Sequence, residues 1–172
     1  MPSSCGDAPS CGCFDTNVCG GCATCGGVED RVVQCECVCI CAAPDTPIAT
    51  PDGERAIASL APGDLVYSMH RGRLVAVPLV TVGRSPVPGD HAVVRVQLSS
   101  GRVLEMSPGH PTADGRRFGD LAAGEDLGGV AVAAVELVPY ERAFTHDILP
   151  ASDTATYVAA GALVGSTLAN RR

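Results

Sequence analysis

From residue 41 onward, apolar and polar positions recur with the period of strands. Residues 74–82 form a nearly continuous apolar run interrupted by Pro78, which reads as a strand with a bulge or an edge at the proline. Val94, Val96 and Leu98 alternate with Arg95 and Gln97, the pattern of a half-buried strand. Ser99-Ser100-Gly101 turns the chain into residues 102–106, so a hairpin is expected with Leu104 and Met106 on its buried face. Residues 130–138, 145–149 and 156–164 supply further strands, and helix is confined to a single turn at 57–60. The pattern predicts an all-β unit.

The unit contains an internal repeat. Asp52-Gly53-Glu54-Arg55 followed by Leu60-Ala61-Pro62-Gly63-Asp64-Leu65 recurs as Asp114-Gly115-Arg116-Arg117 followed by Leu121-Ala122-Ala123-Gly124-Glu125-Asp126-Leu127, displaced by 61 to 62 residues. Each copy has an Asp-Gly turn signal, an apolar stretch, and a Gly-acid turn into a strand. Two β subdomains related by a pseudo-two-fold are expected.

Composition changes the picture at the other end. Ten cysteines fall at 5, 11, 13, 19, 22, 25, 35, 37, 39 and 41, so residues 1–40 form a Cys- and Gly-rich irregular leader. This density fits a disulfide framework in an exported protein, a thiolate metal cluster in a cytosolic one, or an uncommitted tail. In an extended strand Cys35, Cys37, Cys39 and Cys41 would share one face, which makes Cys35, Cys37 and Cys39 the weak candidates for a metal such as zinc. Residues 41–168 form the folded unit and 169–172 a tail. Aromatics are only 3% and Trp is absent, so its core must be Val, Leu, Ile and Ala.

The net charge is −7 and all 12 cations are scattered arginines, which argues against nucleic acid as a partner. The longest apolar run, near 127–138, is too short for a transmembrane segment and contains Gly128, Gly129 and Glu136. Ser3-Ser4-Cys5-Gly6 resembles the segment just after the apolar part of a bacterial lipoprotein signal. If the true start lies upstream, the chain is exported or on the cell surface; otherwise it is cytoplasmic.

Candidate chemistry is sparse. Of four histidines, His70 sits in a polar turn and reads as surface, and His91, after Pro88-Gly89-Asp90, reads the same way. His110 differs, because Pro108 and Pro111 stiffen its loop and Gly109 permits a tight turn. A turn with an incidental His is the alternative. Alternation places Asp147 on the strand face opposite His146, where an acid either pairs with an Arg or faces a site.

Taken together, these residues resemble the Hint superfamily, the autoprocessing domains of inteins and hedgehog proteins. The opening motif matches Cys41, Asp45, Thr46, Ile48, Thr50, Gly63-Asp64 and Val66-Tyr67-Ser68. The family's Thr-x-x-His motif is similar to Ser107 to His110, and its late motif to His146-Asp147-Ile148 and to Tyr157-Val158-Ala159-Ala160-Gly161-Ala162-Leu163-Val164. The resemblance implies a horseshoe of two β subdomains with Cys41, Ser107, His110 and Asp147 as the catalytic set and no required cofactor. Inteins follow Leu-Val with His-Asn, whose Asn cyclises; this chain has Gly165-Ser166 followed by six residues, and it lacks the hedgehog sterol-binding extension. Splicing and cholesterol transfer are not expected.

What remains is the first half-reaction. Cys41 attacks the Ile40 carbonyl in an N-to-S acyl shift, with the chain's own N-terminal segment as substrate. His110 protonates the departing amine, Ser107 bonds the scissile peptide or oxyanion, and Asp147 takes the Cys41 proton in preference to orienting His110. Water or a small thiol resolves the thioester. Resolution by a leader thiol or a partner's amine would make the chain a ligation device. The remaining alternative is a degenerate scaffold that carries a Cys-rich metal-binding or disulfide-bonded interaction segment.

Overall fold

The computed structural model describes residues 41–87 and 89–171. The leader, with Ile40 and the candidate ligands Cys35, Cys37 and Cys39, lies outside the described residues.

Eleven strands succeed one another: β1 (Pro47–Thr50), β2 (Gly53–Ala56), β3 (Leu65–His70), β4 (Arg73–Pro86), β5 (Ala92–Leu98), β6 (Val103–Met106), β7 (Asp126–Leu127), β8 (Val130–Pro139), β9 (Phe144–Pro150), β10 (Thr156–Ala159) and β11 (Ala162–Gly165). They order as β11-β10-β1-β2, β3-β4-β9 and β6-β5-β8-β7. Ala42 bridges both His146 of β9 and Met106 of β6, which joins the last two sheets into one curled surface. The core between the layers is aliphatic, with Phe118 and Tyr157 as its large fully buried rings.

The expected repeat is present down to single hydrogen bonds. Gly63 N and Gly124 N donate to Leu79 O and Val132 O at 2.8 Å each, and Leu79 N and Val132 N donate back to Asp64 O and Glu125 O, again at 2.8 Å. Asp64 and Glu125 cap equivalent turns by accepting from Ala61 N at 2.9 Å and Ala122 N at 2.8 Å. Both glycines have positive φ, 91° and 88°, which a side chain would oppose. The copies also exchange strands: β4 of the first pairs with β9, which comes after the second, and β8 of the second pairs with β5, which comes after the first. At the centre, Ala43 N donates to Glu105 O at 3.1 Å and Ser107 N to Cys41 O at 3.0 Å. These reciprocal bonds put the pseudo-two-fold at the Ala42–Met106 bridge.

Most strand expectations hold, with the β4 irregularity between Leu79 and Thr81, just past Pro78. One does not. Residues 156–164 are two strands, not one, because Ala160 and Gly161 both take positive φ, 48° and 83°, and fold β11 back on β10. Ala160 gives no sequence signal for that conformation. Single 3₁₀ turns occur at Ile57–Ser59, as expected, and at Phe118–Asp120 and Thr167–Arg171, which apolar periodicity did not reveal.

The β7–β8 turn is pressed onto the β11 backbone, where Leu163 N donates to Gly128 O at 3.2 Å. A Cβ on Gly128 would lie 2.1 Å from Leu163 O, whereas one on Gly129 would meet nothing within 4 Å. Both glycines have positive φ, so backbone strain is common to the pair. Gly128→Ala is therefore expected to lose about 3 kcal/mol or more and Gly129→Ala about 1 kcal/mol in denaturant unfolding.

Candidate active site

Three strands bring the sequence-predicted residues together. Ala42 N and O both bond to His146, at 2.8 Å each, on one side of the 41–43 segment, and β6 pairs on the other. Directly opposed residues in an antiparallel sheet project to the same face. The register that opposes Ala42 to His146 and Met106 therefore opposes Cys41 to Asp147 on one flank and to Ser107 on the other. All three are buried.

The Ser107 hydroxyl lies against the Cys41 main chain. Its Oγ accepts from Cys41 N at 3.3 Å and donates to Cys41 O at 3.1 Å. A third partner is His91, whose Nε2 is 3.1 Å away. A hydroxyl has one proton, so with that proton on Cys41 O the bond from His91 is an Nε2–H donation, an assignment made from the network. His91 is half-buried, and its ring meets Tyr140 edge-on at 5.7 Å. The expectation that His91 is merely a surface histidine is thus corrected: the β5–β6 hairpin opposes Val93 to Ser107, and His91, two residues earlier on the same face, is Ser107's diagonal neighbour. The hairpin was readable, and counting back from its turn would have found this pair.

His110 is set by its loop. His110 N donates to Ser107 O at 3.0 Å, Phe118 N to His110 O at 2.9 Å, and Gly119 N to Pro108 O at 2.8 Å. The imidazole is fully buried between Phe118 and Tyr157, with ring centroids 5.7 and 6.4 Å away. Its Nε2 is 3.3 Å from the Tyr157 hydroxyl. That hydroxyl in turn donates to Asp147 Oδ1 at 2.9 Å. Burial first, then the charge and hydrogen bond of Asp147, hold the Tyr157 phenol well above its ordinary value, so it stays a donor.

Asp147 has no arginine partner among the described residues. Its Oδ1 also accepts from Ile148 N at 2.8 Å, and its Oδ2 accepts from Thr167 N at 2.7 Å and from the Thr167 hydroxyl. Tyr157, Thr167 and His91 are the site residues that sequence reasoning missed. His146 sits on the opposite face from Cys41; burial and then Arg84 lower its imidazole below the ordinary value. His70 pairs with Asp153 at 3.2 Å on the surface, as expected. Together, the buried thiol, hydroxyl, imidazole and carboxylate are groups of the kinds from which an acyl-transfer site can be built.

No family model matches the sequence, and no curated protein is similar to it. Solved structures are. The gp41-1 intein shares 21% identity over 73% of this chain and 98% of its own, with a TM-score of 0.57. The bacterial intein-like domain from Clostridium thermocellum shares 18%, over 73% and 96%, at 0.60. The fold is Hint-type. The Msm DnaB1 intein splicing domain, solved bound with zinc, is 23% identical over 72% of this chain and 98% of its own, at 0.59. Among the described residues of this Hint fold, no three His, Cys, Asp or Glu side chains are grouped to hold a metal ion. No helix among them is long and apolar enough to cross a membrane.

Tyr140 closes the corner beside His91, with its hydroxyl donating to Phe144 O at 2.6 Å. Burial pushes its phenol up to about 12, against the opposing pull of Arg142. A raised pKa contributes stability fully below the unfolded value of about 10 and loses it as pH climbs through the folded one. Denaturant midpoints are expected to fall between about pH 10 and about pH 12. The fall should be shallower in Tyr140→Phe, with Tyr157 supplying the remainder.

Proposed function

We propose that this chain is a self-processing protein in which Cys41 performs an N-to-S acyl shift on its own leader. The Cys41 sulfur attacks the Ile40 carbonyl, the C–S bond forms, the C–N bond breaks, and the thiol's proton is balanced by one delivered to the Cys41 nitrogen. Water or a small thiol then hydrolyses or exchanges the thioester, separating residues 1–40 from 41–172. The observation that carries this reading is the Ser107 hydroxyl against Cys41 N, the nitrogen of the bond to be broken. In this reading Ser107 holds the scissile peptide, and His110 is the general acid of the buried pocket.

For Asp147, the orienting role is favoured over proton uptake from the thiol. Its two oxygens already accept from Tyr157, Ile148 and Thr167, and Tyr157 connects it to His110. The reaction stops at cleavage, because Gly165 and Ser166 carry no side-chain amide to cyclise on the backbone.

Mass spectrometry of the expressed chain, with and without dithiothreitol or hydroxylamine, tests this reading. Thiol-accelerated release of residues 1–40 is expected, abolished in Cys41→Ala and slowed on the order of 10²-fold in Ser107→Ala. A full-length chain under every condition would overturn it and leave the non-cleaving scaffold.

A further inference from the structure

Tyr157 is fully buried on β10, where packing asks only for an aromatic ring. Its hydroxyl is a further polar group taken out of water, and it lies between two residues of the site. Asp147 Oδ1 is 2.9 Å from it and His110 Nε2 is 3.3 Å away. The hydroxyl has one proton to give. Asp147 takes it, because it is the nearer partner and a hydrogen bond to a carboxylate is about twice as strong as one between neutral groups. Towards His110 the phenol therefore presents a lone pair, and only a ring nitrogen that carries hydrogen is attracted to it.

Asp147 is held independently of the phenol. Each of its oxygens accepts a main-chain N–H, Oδ1 from Ile148 at 2.8 Å and Oδ2 from Thr167 at 2.7 Å. The Thr167 hydroxyl adds a second bond to Oδ2. The direction of the row is thus set from the backbone. Main-chain N–H groups fix the acid, the acid fixes the phenol proton, and the phenol faces the imidazole with its oxygen.

We propose that Tyr157 is the positioning residue that sets the tautomer and orientation of His110, an inference whose catalytic consequence rests on the acyl-shift reading. Nε2 of the neutral ring keeps its hydrogen against the phenol oxygen. The other tautomer would set two lone pairs 3.3 Å apart, and a ring turned over about its Cβ–Cγ bond would put carbon there. The proton that His110 gives to the departing amine is then carried on Nδ1. Tyr157 acts through His110 and not on the peptide itself.

Tyr157→Phe keeps the ring and removes the hydroxyl. ¹⁵N NMR of the imidazole is read in the Cys41→Ala chain, which cannot cleave, at a pH where the ring is neutral. With Tyr157 in place His110 is expected as Nε2–H, and adding Tyr157→Phe is expected to bring in the Nδ1–H form. An Nδ1–H ring with Tyr157 in place overturns the proposal, and that result does not depend on whether the Phe variant folds. A Phe variant whose tautomer is unchanged overturns it too. In the chain that retains Cys41, thiol-accelerated cleavage is expected to fall about 10-fold in Tyr157→Phe, the worth of one hydrogen bond to a group that becomes charged. Cleavage at the wild-type rate overturns the positioning role and leaves the acyl shift standing. A wild-type chain that never cleaves overturns the acyl shift, and with it the catalytic consequence, while the tautomer is still decided by the NMR measurement.

Discussion

The pairing of residues 41–43 between β9 and β6 is the constraint that fixes the remainder of the molecule. These residues do not sit on an edge; Ala42 bonds through both main-chain groups to His146, and its neighbours exchange bonds with Glu105 and Ser107. Without this insert the sheet β3-β4-β9 and the sheet β6-β5-β8-β7 would each present an open edge. With it, a thiol is held in the middle of the molecule by the same hydrogen bonds that join its halves. Stability and site geometry are thus one set of contacts, and a change that loosens the bridge moves Cys41 relative to Ser107 and Asp147.

The pseudo-two-fold makes the chemistry visible as an asymmetry. Ala43–Pro44–Asp45–Thr46 and Ser107–Pro108–Gly109–His110 are matching turns, since Thr46 N donates to Ala43 O at 3.1 Å and Ile57 N to Thr46 O at 2.9 Å, as His110 and Phe118 do in the second copy. Symmetry carries Cys41, Ser107 and Asp147 onto Glu105, Ala43 and Arg95. That second row holds no nucleophile: Arg95 Nε donates to Glu105 at 2.8 Å in a surface ion pair. The backbone frame is duplicated, and only one of the two symmetry-related rows carries a thiol, a hydroxyl and a buried acid. On the proposed reading, function resides in side chains placed on one row of a repeated scaffold.

Much of this frame was legible because it rests on local signals. The Asp-Gly and Gly-acid turns recur in register, and strand alternation from Val94 to Met106 gave the hairpin and its buried face. Cys41, Ser107, His110 and Asp147 were singled out by family resemblance and lie where three strands meet. What escaped depends on tertiary register or unusual backbone. Ala160 at positive φ breaks a strand without announcing it. Thr167 reaches Asp147 from 20 residues away, across a turn that only the fold closes. His91 was discounted for its polar neighbours, although polarity of neighbours does not determine which strand face a residue shares.

The Gly165-Ser166 pair is more than a missing motif. A Cβ at residue 165 would lie 3.1 Å from Thr112 O and 3.3 Å from Pro111, closer than side chains ordinarily approach, because Gly165 N donates to Pro111 O there. Histidine at this position would push on the turn just after His110. Beyond it, Ser166 N donates to Ala155 O, and Thr167 occupies Asp147 Oδ2 with both its main-chain and side-chain donors. Leu168 then packs over Gly83. The end of the domain is therefore spent on closing the fold over Asp147 and Tyr157. These contacts make Gly165 and Ser166 part of the packed fold, which fits the proposed reading of a reaction that stops at cleavage.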